Sequence, residues 1–158
     1  MSKTTFNYQG TYDDTRMARA ITTNRPASVK YSLEIARCIK GKTIQAAETF
    51  LQNIVEEKAF LPLRTYHKKI PHRKGATVFG TKSGRYPWKT CEAWQALLQS
   101  VKANADVKGL DTKKLRVVHA NATHGFSRIR YQNQGRISNK AKKSKSAHLE
   151  IIVREVKA

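Results

Sequence analysis

A stretch without a single acidic residue lies between two strand-like runs near the end of this 158-residue chain. Residues 121–148 read NATHGFSRIRYQNQGRISNKAKKSKSAH and contain seven Lys or Arg residues. The flanking runs LRVVHANAT and HLEIIVREV favour strands, the second because Leu149, Ile151 and Val153 recur at every other position. The stretch itself holds too few apolar residues to form a core, so it does not fold as an independent unit.

If the two flanking strands are antiparallel neighbours, the residues between them can continue the ladder outward as a long hairpin. We call this predicted extension, at about residues 119–147, the basic arm. Phe126, Ile129, Tyr131 and Ile137 all suit a strand. A two-stranded ribbon is marginally stable alone in water, so we expect a partner to order the basic arm, and its charge requires that partner to be anionic.

Charge is segregated along the whole chain, which carries a formal net charge of +20. Residues 58–91 contain nine Lys or Arg and no acid, whereas residues 1–57 contain eight Lys or Arg and six acids. Residues 113–158 contain twelve Lys or Arg and two acids. A soluble surface normally mixes its signs, and segregation of this kind indicates a surface that binds a polyanion.

Other features narrow the class of partner and the compartment. The N-terminal segment is polar and no long apolar run follows, which predicts neither a signal peptide nor a membrane span. Cys38 and Cys91 are far apart and lack CxxC spacing, which suits a reducing compartment and predicts a cytoplasmic protein. The candidate polyanionic partners are nucleic acid, an anionic membrane and an acidic protein.

Apolar spacing predicts an α+β fold in which three helices pack on a small antiparallel sheet with one buried face, and the basic arm forms a long β-hairpin extension. We expect one domain over residues 1–158, with a basic insertion at about 59–90 that we call the basic loop. Ser28, Thr43 and Thr90 are predicted to cap the helices, and Gly41 and Gly109 to end the first and third. The predicted elements are a weak strand at 17–23, helices at 29–40, 44–58 and 90–108, and strands at 115–123 and 148–156.

The residues that could carry chemistry argue against an enzyme. His67 and His72 lie among Lys and Arg residues that would repel a metal ion, and the two cysteines do not have zinc-finger spacing. The basic segments almost lack the carboxylates that acid–base catalysis or Mg²⁺ binding needs. Cys91 follows a predicted helix start, yet no histidine–acid partner is evident, so packing is the expected role of both cysteines. No cofactor is expected.

Aromatic residues are interleaved with basic ones in the basic loop, in the run GRYPWK. Tyr86 and Trp88 could stack on bases while Arg85 and Lys89 contact phosphates. The alternative is that Trp88 packs the loop onto the core, whereas Trp94, at helical spacing, is expected in the core. The predicted RNA-binding residues are Lys30, Arg64, Lys68, Lys69, Arg73, Lys74, Lys82, Arg85, Trp88, Lys89, Arg128, Arg130, Arg136, Lys140, Lys142, Lys143 and Lys145.

Three segments together resemble the ribosomal large-subunit protein 22 family, whose eukaryotic member is numbered 17. They are SVKYSLEIARCIKGKTIQAAETFL, GRYPWKTCEAWQALLQSVKANADVKGLD, and the C-terminal run from LRVVHANAT to SAHLEIIVREV. The resemblance covers residues 17 to 156 in order. Bacterial members lack or shorten the basic loop, so the chain resembles the archaeal or eukaryotic type.

The resemblance implies a structural constituent of the large ribosomal subunit that binds ribosomal RNA, contacts neighbouring ribosomal proteins and supports subunit assembly. It implies that the basic arm penetrates the RNA and that the tip lines the exit tunnel of the nascent peptide. By motif the tip falls at Phe126, Ser127, Arg128, Ile129 and Arg130, with Gly135 and Arg136 on the return strand. A free-standing RNA chaperone and an RNA-processing enzyme are the alternatives.

Overall fold

The structure, a computed structural model, describes residues 6–74, 80–132 and 140–156. Its main body comprises three helices and a three-stranded sheet, and a short 3₁₀ helix, Thr112–Lys114, precedes the fourth strand. The elements in chain order are β1 Met17–Arg25, α1 Val29–Ile39, α2 Ile44–Val55, β2 Leu61–Pro62, β3 Gly84–Arg85, α3 Trp88–Val107, β4 Leu115–Gln132 and β5 Lys140–Glu155.

The main sheet is antiparallel throughout, with strand order β1-β5-β4. The strand that closes the described chain therefore occupies the centre, between β1 on one side and β4 on the other. Ala18 pairs with Val153, and Val117 pairs with the same residue from the opposite edge. The connection between α1 and α2 lies beside β4, where Gly41 N–H donates to the Val117 carbonyl and Val117 N–H to the Lys42 carbonyl.

Helices α1 and α3 pack on one face of this sheet, and α2 packs mainly against α3. Trp94 is fully buried, as the spacing predicts, and it belongs to the same cluster as Ile35, Leu51 and Leu149. Amphipathic helices bury their apolar stripes against a sheet in this way because neither element can shield its own apolar face. The predicted α+β fold with a long hairpin is therefore confirmed.

The predicted helix ends are partly right. The Thr43 side chain accepts a hydrogen bond from Ala46 N–H at 3.3 Å, and Gly41 ends α1 in the left-handed region at φ +82°. Ser28 precedes α1, but its side chain makes no capping bond. The prediction for Thr90 was wrong: α3 starts at Trp88 after Pro87, which loses nothing at a helix start because its missing N–H is not needed there.

The expectation of a single buried sheet face is also wrong. On β5, Glu150 and Ile152 are 2% and 1% exposed although they point away from the helices. The N-terminal segment 6–14 covers them: Asn7 N–H donates to the Glu150 carboxylate at 3.0 Å, and the Tyr8 ring lies 5.3 Å from the ring of His119. Apolar alternation along one strand could not reveal this cover, because the covering segment is polar and lies more than 130 residues away.

The basic arm is an extension of β4 and β5 beyond the helices. Register shifts occur between His124 and Ser127, after which the strands pair regularly as far as Gln132 with Lys140. Of the predicted tip residues, Phe126 lies in the register shift and Ser127–Arg130 lie in the regular ladder. Their position beside the exit tunnel stays a prediction. Gly135, Arg136 and Ile137 lie outside the described residues.

Candidate nucleic-acid interface

The described cations of the basic arm divide between two faces of the ribbon. Side chains alternate along each strand, and directly paired residues share a face. Because Arg128 pairs with Ser144 and Arg130 with Lys142, these four residues share one face. Lys143 and Lys145 lie on the opposite face, where they pair with Ile129 and Ser127. The register therefore places Arg128 and Arg130 on the face opposite to Ile129.

The junction between the arm and the sheet is held by Asn24, at the end of β1. Its side-chain oxygen accepts from Phe126 N–H at 3.0 Å, and its own N–H donates to His148 Nδ1 at 3.2 Å. The Ser146 hydroxyl donates to the Phe126 carbonyl at 2.6 Å. Asn24 adopts φ +52°, a left-handed conformation that asparagine tolerates better than most residues. One polar side chain thus connects all three strands where the arm begins.

Gly125 permits this junction because its backbone lies against Ser146 and Asn24, where a side chain would not fit. A Cβ at this position would lie 2.6 Å from Ser146 Oγ and 2.8 Å from Asn24 Oδ1. The shift in strand pairing falls at the same place, between His124 and Ser127. A bulge of this kind increases twist and bends a ribbon, so the sequence around Gly125 sets the direction in which the arm leaves the sheet.

The basic loop is attached to the body through a buried carboxylate. Glu34 on α1 is 1% exposed, and its Oε1 accepts from Thr65 N–H at 2.8 Å. Arg37 lies 3.6 Å from the other carboxylate oxygen and also hydrogen-bonds the Thr65 hydroxyl. Strand β2, near the start of the loop, pairs with β3, near its end, and so joins the two ends of the loop. The loop cations are thereby displayed from a fixed base.

Most of the predicted loop cations are exposed, and Arg73 is the clearest departure. Arg73 Nε donates to the Gly84 carbonyl at 2.9 Å, and its guanidinium lies 4.9 Å from the centre of the Tyr86 ring. The Arg73 side chain therefore contacts other residues of the basic loop. Lys30, on α1, places its Nζ 5.2 Å from the centre of the Tyr66 ring. The exposed members of the predicted set in the loop and α1 are Lys30, Arg64, Lys68, Lys69, Lys74, Lys82, Arg85 and Lys89.

Trp88 is half exposed, in contrast to the buried Trp94. Its side chain is 52% accessible, and Lys89 Nζ lies 4.9 Å from the ring centre. The ring therefore does not serve mainly to pack the loop onto the core. An exposed indole beside a cation is able to stack on a base.

Carboxylates are almost absent from the neighbourhood of these cations. The described salt bridges between acidic and Lys or Arg side chains involve Arg37, Lys58, Lys102, Lys108 and Lys114, none of which belongs to the predicted RNA-binding set. Leaving Arg64 aside, the described cations of that set have no salt bridge to a described carboxylate. Their charge is therefore available to an external polyanion.

The cysteines lie in the core and away from this surface. Burial raises the pKa of Cys38 to about 11, although Arg64 and Lys42 oppose the shift, and burial raises the pKa of Cys91 to about 12. Both thiols therefore stay protonated near neutral pH, which suits packing rather than nucleophilic chemistry. The described residues contain no group of three or more His, Cys, Asp or Glu side chains arranged to hold a metal ion.

Sequence reasoning missed the polar residues that position both basic segments. The sequence patterns single out neither Asn24 nor Glu34. No periodic signal could have found them, because each makes its contact once, with a segment distant in the chain. Among the described helices none has the length and apolar character that crossing a bilayer requires.

Comparison with known proteins shows the ancestry of this arrangement. The family model described as ribosomal protein L22p/L17e matches residues 20–154, which include most of the sheet, the three described helices and both basic segments. The chain belongs to this family. It is 35% identical to the large ribosomal subunit protein uL22 of Methanoculleus marisnigri, over 94% of the chain and 96% of that protein. It is 39% identical to uL22 of Archaeoglobus fulgidus over 75% of the chain and 76% of that protein, and 32% identical to uL22 of Methanococcus aeolicus over 98% and 99%.

Membership of the L22p/L17e family confirms the resemblance found in the sequence, including its archaeal type. The relatives are ribosomal proteins and not enzymes, so the prediction of a non-enzymatic role is confirmed by kinship. These relatives are named as proteins of the large ribosomal subunit.

Proposed function

We propose that this L22p/L17e protein is a structural constituent of the large ribosomal subunit that binds large-subunit RNA through the basic loop and the basic arm. The observation that carries the proposal is the pair of extensions whose described cations, Arg64 aside, have no salt bridge to a described carboxylate. Each extension is fastened to the helix–sheet body by a buried or shared polar contact, so the body orients the cations. The whole chain is proposed to act as one domain of the subunit in the cytoplasm.

The proposed mechanism is electrostatic. Lys and Arg side chains that neutralise phosphates release condensed counterions, which favours binding and makes it dependent on salt. The arm offers charge on both faces, with Arg128, Arg130, Lys140 and Lys142 on one and Lys143 and Lys145 on the other. A ribbon charged on both faces suits a crevice between two RNA segments, where it reduces their mutual repulsion and supports subunit assembly.

We further propose that the far part of the arm borders the path of the nascent peptide in the exit tunnel. The family pattern supports this role, and the regular pairing as far as Gln132 with Lys140 favours a position farther from the sheet than Phe126–Arg130. Ser127 is four residues nearer the sheet than Tyr131, which is about 13 Å along an extended strand. A photo-crosslinker at Tyr131 is therefore expected to capture a stalled nascent chain more efficiently than one at Ser127. Equal capture, or stronger capture at Ser127, would contradict the shifted placement.

The decisive experiment for the main proposal is co-sedimentation of the native protein with ribosomal subunits, together with binding to deproteinised large-subunit RNA across a salt series. The protein is expected to sediment with the large subunit. Each phosphate contact is expected to contribute roughly 0.7–0.9 to the slope of log affinity against log salt. A free-standing RNA chaperone would bind RNA without sedimenting with subunits, and a flat salt dependence would refute the electrostatic mechanism.

A further inference from the structure

A groove of about 370 Å³ lies where the basic arm leaves the sheet. One side comes from the end of β1 and the residues that follow it, at Asn24 and Pro26. The other comes from the arm, at Phe126, Arg128, Ser144, Lys145 and Ser146. We call it the root groove. It is formed by the Asn24 junction, because the hydrogen bond from Phe126 N–H to Asn24 joins its two sides.

The root groove combines an exposed aromatic ring with a cation. The Phe126 side chain is 65% accessible, an unfavourable exposure of a large apolar ring unless something covers it. Arg128 is two residues further along the same strand, so its guanidinium lies on the same side of the ribbon, beside Ser144. A flat apolar surface next to a guanidinium matches a nucleotide, which offers a base to stack and a phosphate to bind.

Hydrogen-bond donors add to this match. The Asn24 side-chain oxygen is occupied by Phe126 N–H, which fixes the orientation of the amide. The amide nitrogen makes no hydrogen bond to another described residue, so its two N–H groups are available to acceptors on a base or a phosphate. Beyond the groove, Arg130 and Lys142 continue on the Arg128 face and would meet the phosphates that flank the bound nucleotide.

We propose that the root groove binds a single unpaired nucleotide of large-subunit RNA, with the base stacked on Phe126 and the phosphate held by Arg128. This inference rests on the proposed function, which makes RNA the partner of the arm. The nucleotide belongs to a strand rather than being free, because the groove is open and the cations that extend it lie in a row along the arm. Stacking tolerates any base, so the site selects an unpaired conformation more than a sequence.

The test compares three variants of the full-length protein bound to deproteinised large-subunit RNA from the same organism. Phe126→Leu removes the ring and keeps an apolar side chain, and Arg128→Gln removes the proposed phosphate contact. Lys143→Gln is the control, because it removes one positive charge from the arm on the opposite face and outside the groove. All three side chains are exposed, and circular dichroism is used to show that each variant folds.

Acylation of RNA 2′-hydroxyls, measured at saturating protein, reports unpaired nucleotides whatever their base. The wild-type protein is expected to protect a short unpaired site. Phe126→Leu and Arg128→Gln should both restore reactivity at one and the same nucleotide, whereas Lys143→Gln should leave it protected. Phe126→Leu should weaken RNA binding roughly tenfold without changing the salt slope, since stacking carries no counterion release.

Two results would overturn the inference while leaving the proposed function intact. One is RNA binding by the wild-type protein with the same protection pattern in Phe126→Leu. The other is loss of protection at the same nucleotide in all three variants, which would show general loosening of the arm. Failure of the wild-type protein to bind RNA at any salt concentration would instead refute the proposed function, and the inference with it.

Discussion

Polar side chains at Asn24, Glu34 and Glu150 fasten distant chain segments to the body of this protein. Glu150 is buried on the sheet face that points away from the helices. Its carboxylate accepts from Asn7 N–H at 3.0 Å and lies 2.7 Å from His119 Nε2. Buried polar groups are costly unless each is paired, so such residues hold their partners in one arrangement. Here that arrangement keeps the N-terminal segment over β5.

We expect Glu150→Gln to lower the free energy of unfolding by about 1–3 kcal/mol, because a neutral amide cannot satisfy the donors that now share two carboxylate oxygens. Glu48→Gln is the matched control: the Glu48 carboxylate bonds Lys102 Nζ at 2.9 Å but is about one-third exposed. An exposed pair of this kind contributes about 0–1 kcal/mol. Urea unfolding followed by circular dichroism measures both, and equal losses would argue against a special role for the buried carboxylate.

At the scale of elements, the β4–β5 hairpin has a buried inner part and an exposed outer part. Near the helices its residues are core, with Ala122, Ala147 and Leu149 buried. From Ser127 to Tyr131 and from Lys140 to Lys145, every described side chain is exposed. The change occurs at the bulge beside Gly125, so the bulge separates the part of the hairpin that stabilises the fold from the part that meets a partner.

Gly125→Ala is expected to disturb the junction of the arm, since the new Cβ would lie within 3 Å of Ser146 Oγ and Asn24 Oδ1. Overpacking of this kind typically costs about 1–3 kcal/mol. Amide hydrogen exchange should show faster exchange at Phe126, whose N–H donates to Asn24, with little change in α3. Ser127→Ala, an exposed neighbour in the same strand, is the control and should leave exchange unchanged.

Replacement of residues 127–145 by a short Asn-Gly turn should leave cooperative unfolding intact, because none of the described side chains in that range is buried. The boundaries matter: a deletion of 121–147 would also remove buried Ala122 and Ala147 and is expected to destabilise the body. Thermal unfolding followed by circular dichroism compares the two deletions. Loss of a cooperative transition in the shorter deletion would show that the arm is part of the core.

At the scale of the whole molecule, a net charge of +20 on 158 residues is a destabilising property of the free protein. The helix–sheet body offsets this repulsion by burying apolar side chains, and the surplus charge is concentrated in the basic loop and the basic arm. Bound RNA would remove the repulsion among those cations, so the assembled state is where this charge distribution becomes favourable.

The melting temperature of the free protein is therefore expected to rise with sodium chloride concentration between about 0.05 and 0.5 M, where the Debye length shortens from more than 10 Å to a few ångströms. The 127–145 replacement removes seven basic residues and lowers the net charge from +20 to +13, so its melting temperature should depend less on salt. Calorimetry of both proteins checks this. An equal salt dependence would place the repulsion elsewhere in the chain.

Much of this protein follows from local sequence patterns. Apolar spacing predicts α1, α2, most of α3 and the inner parts of β4 and β5, because burial of a stripe on one face is a local property. Thr43 and Gly41 mark helix ends by their own conformational preferences. The segregation of charge, which needs no structure to be seen, indicates a polyanionic partner.

The tertiary structure decided what depends on residues far apart in the chain. The burial of Glu150 required Asn7, and the junction of the arm required Asn24 to meet Phe126 and Ser146. The pairing of the arm as far as Gln132 with Lys140 depended on strand register, which is set by pairs across the hairpin and not by either strand alone. Polar contacts of this kind have no periodic signature, because each is made once, between segments that only folding brings together.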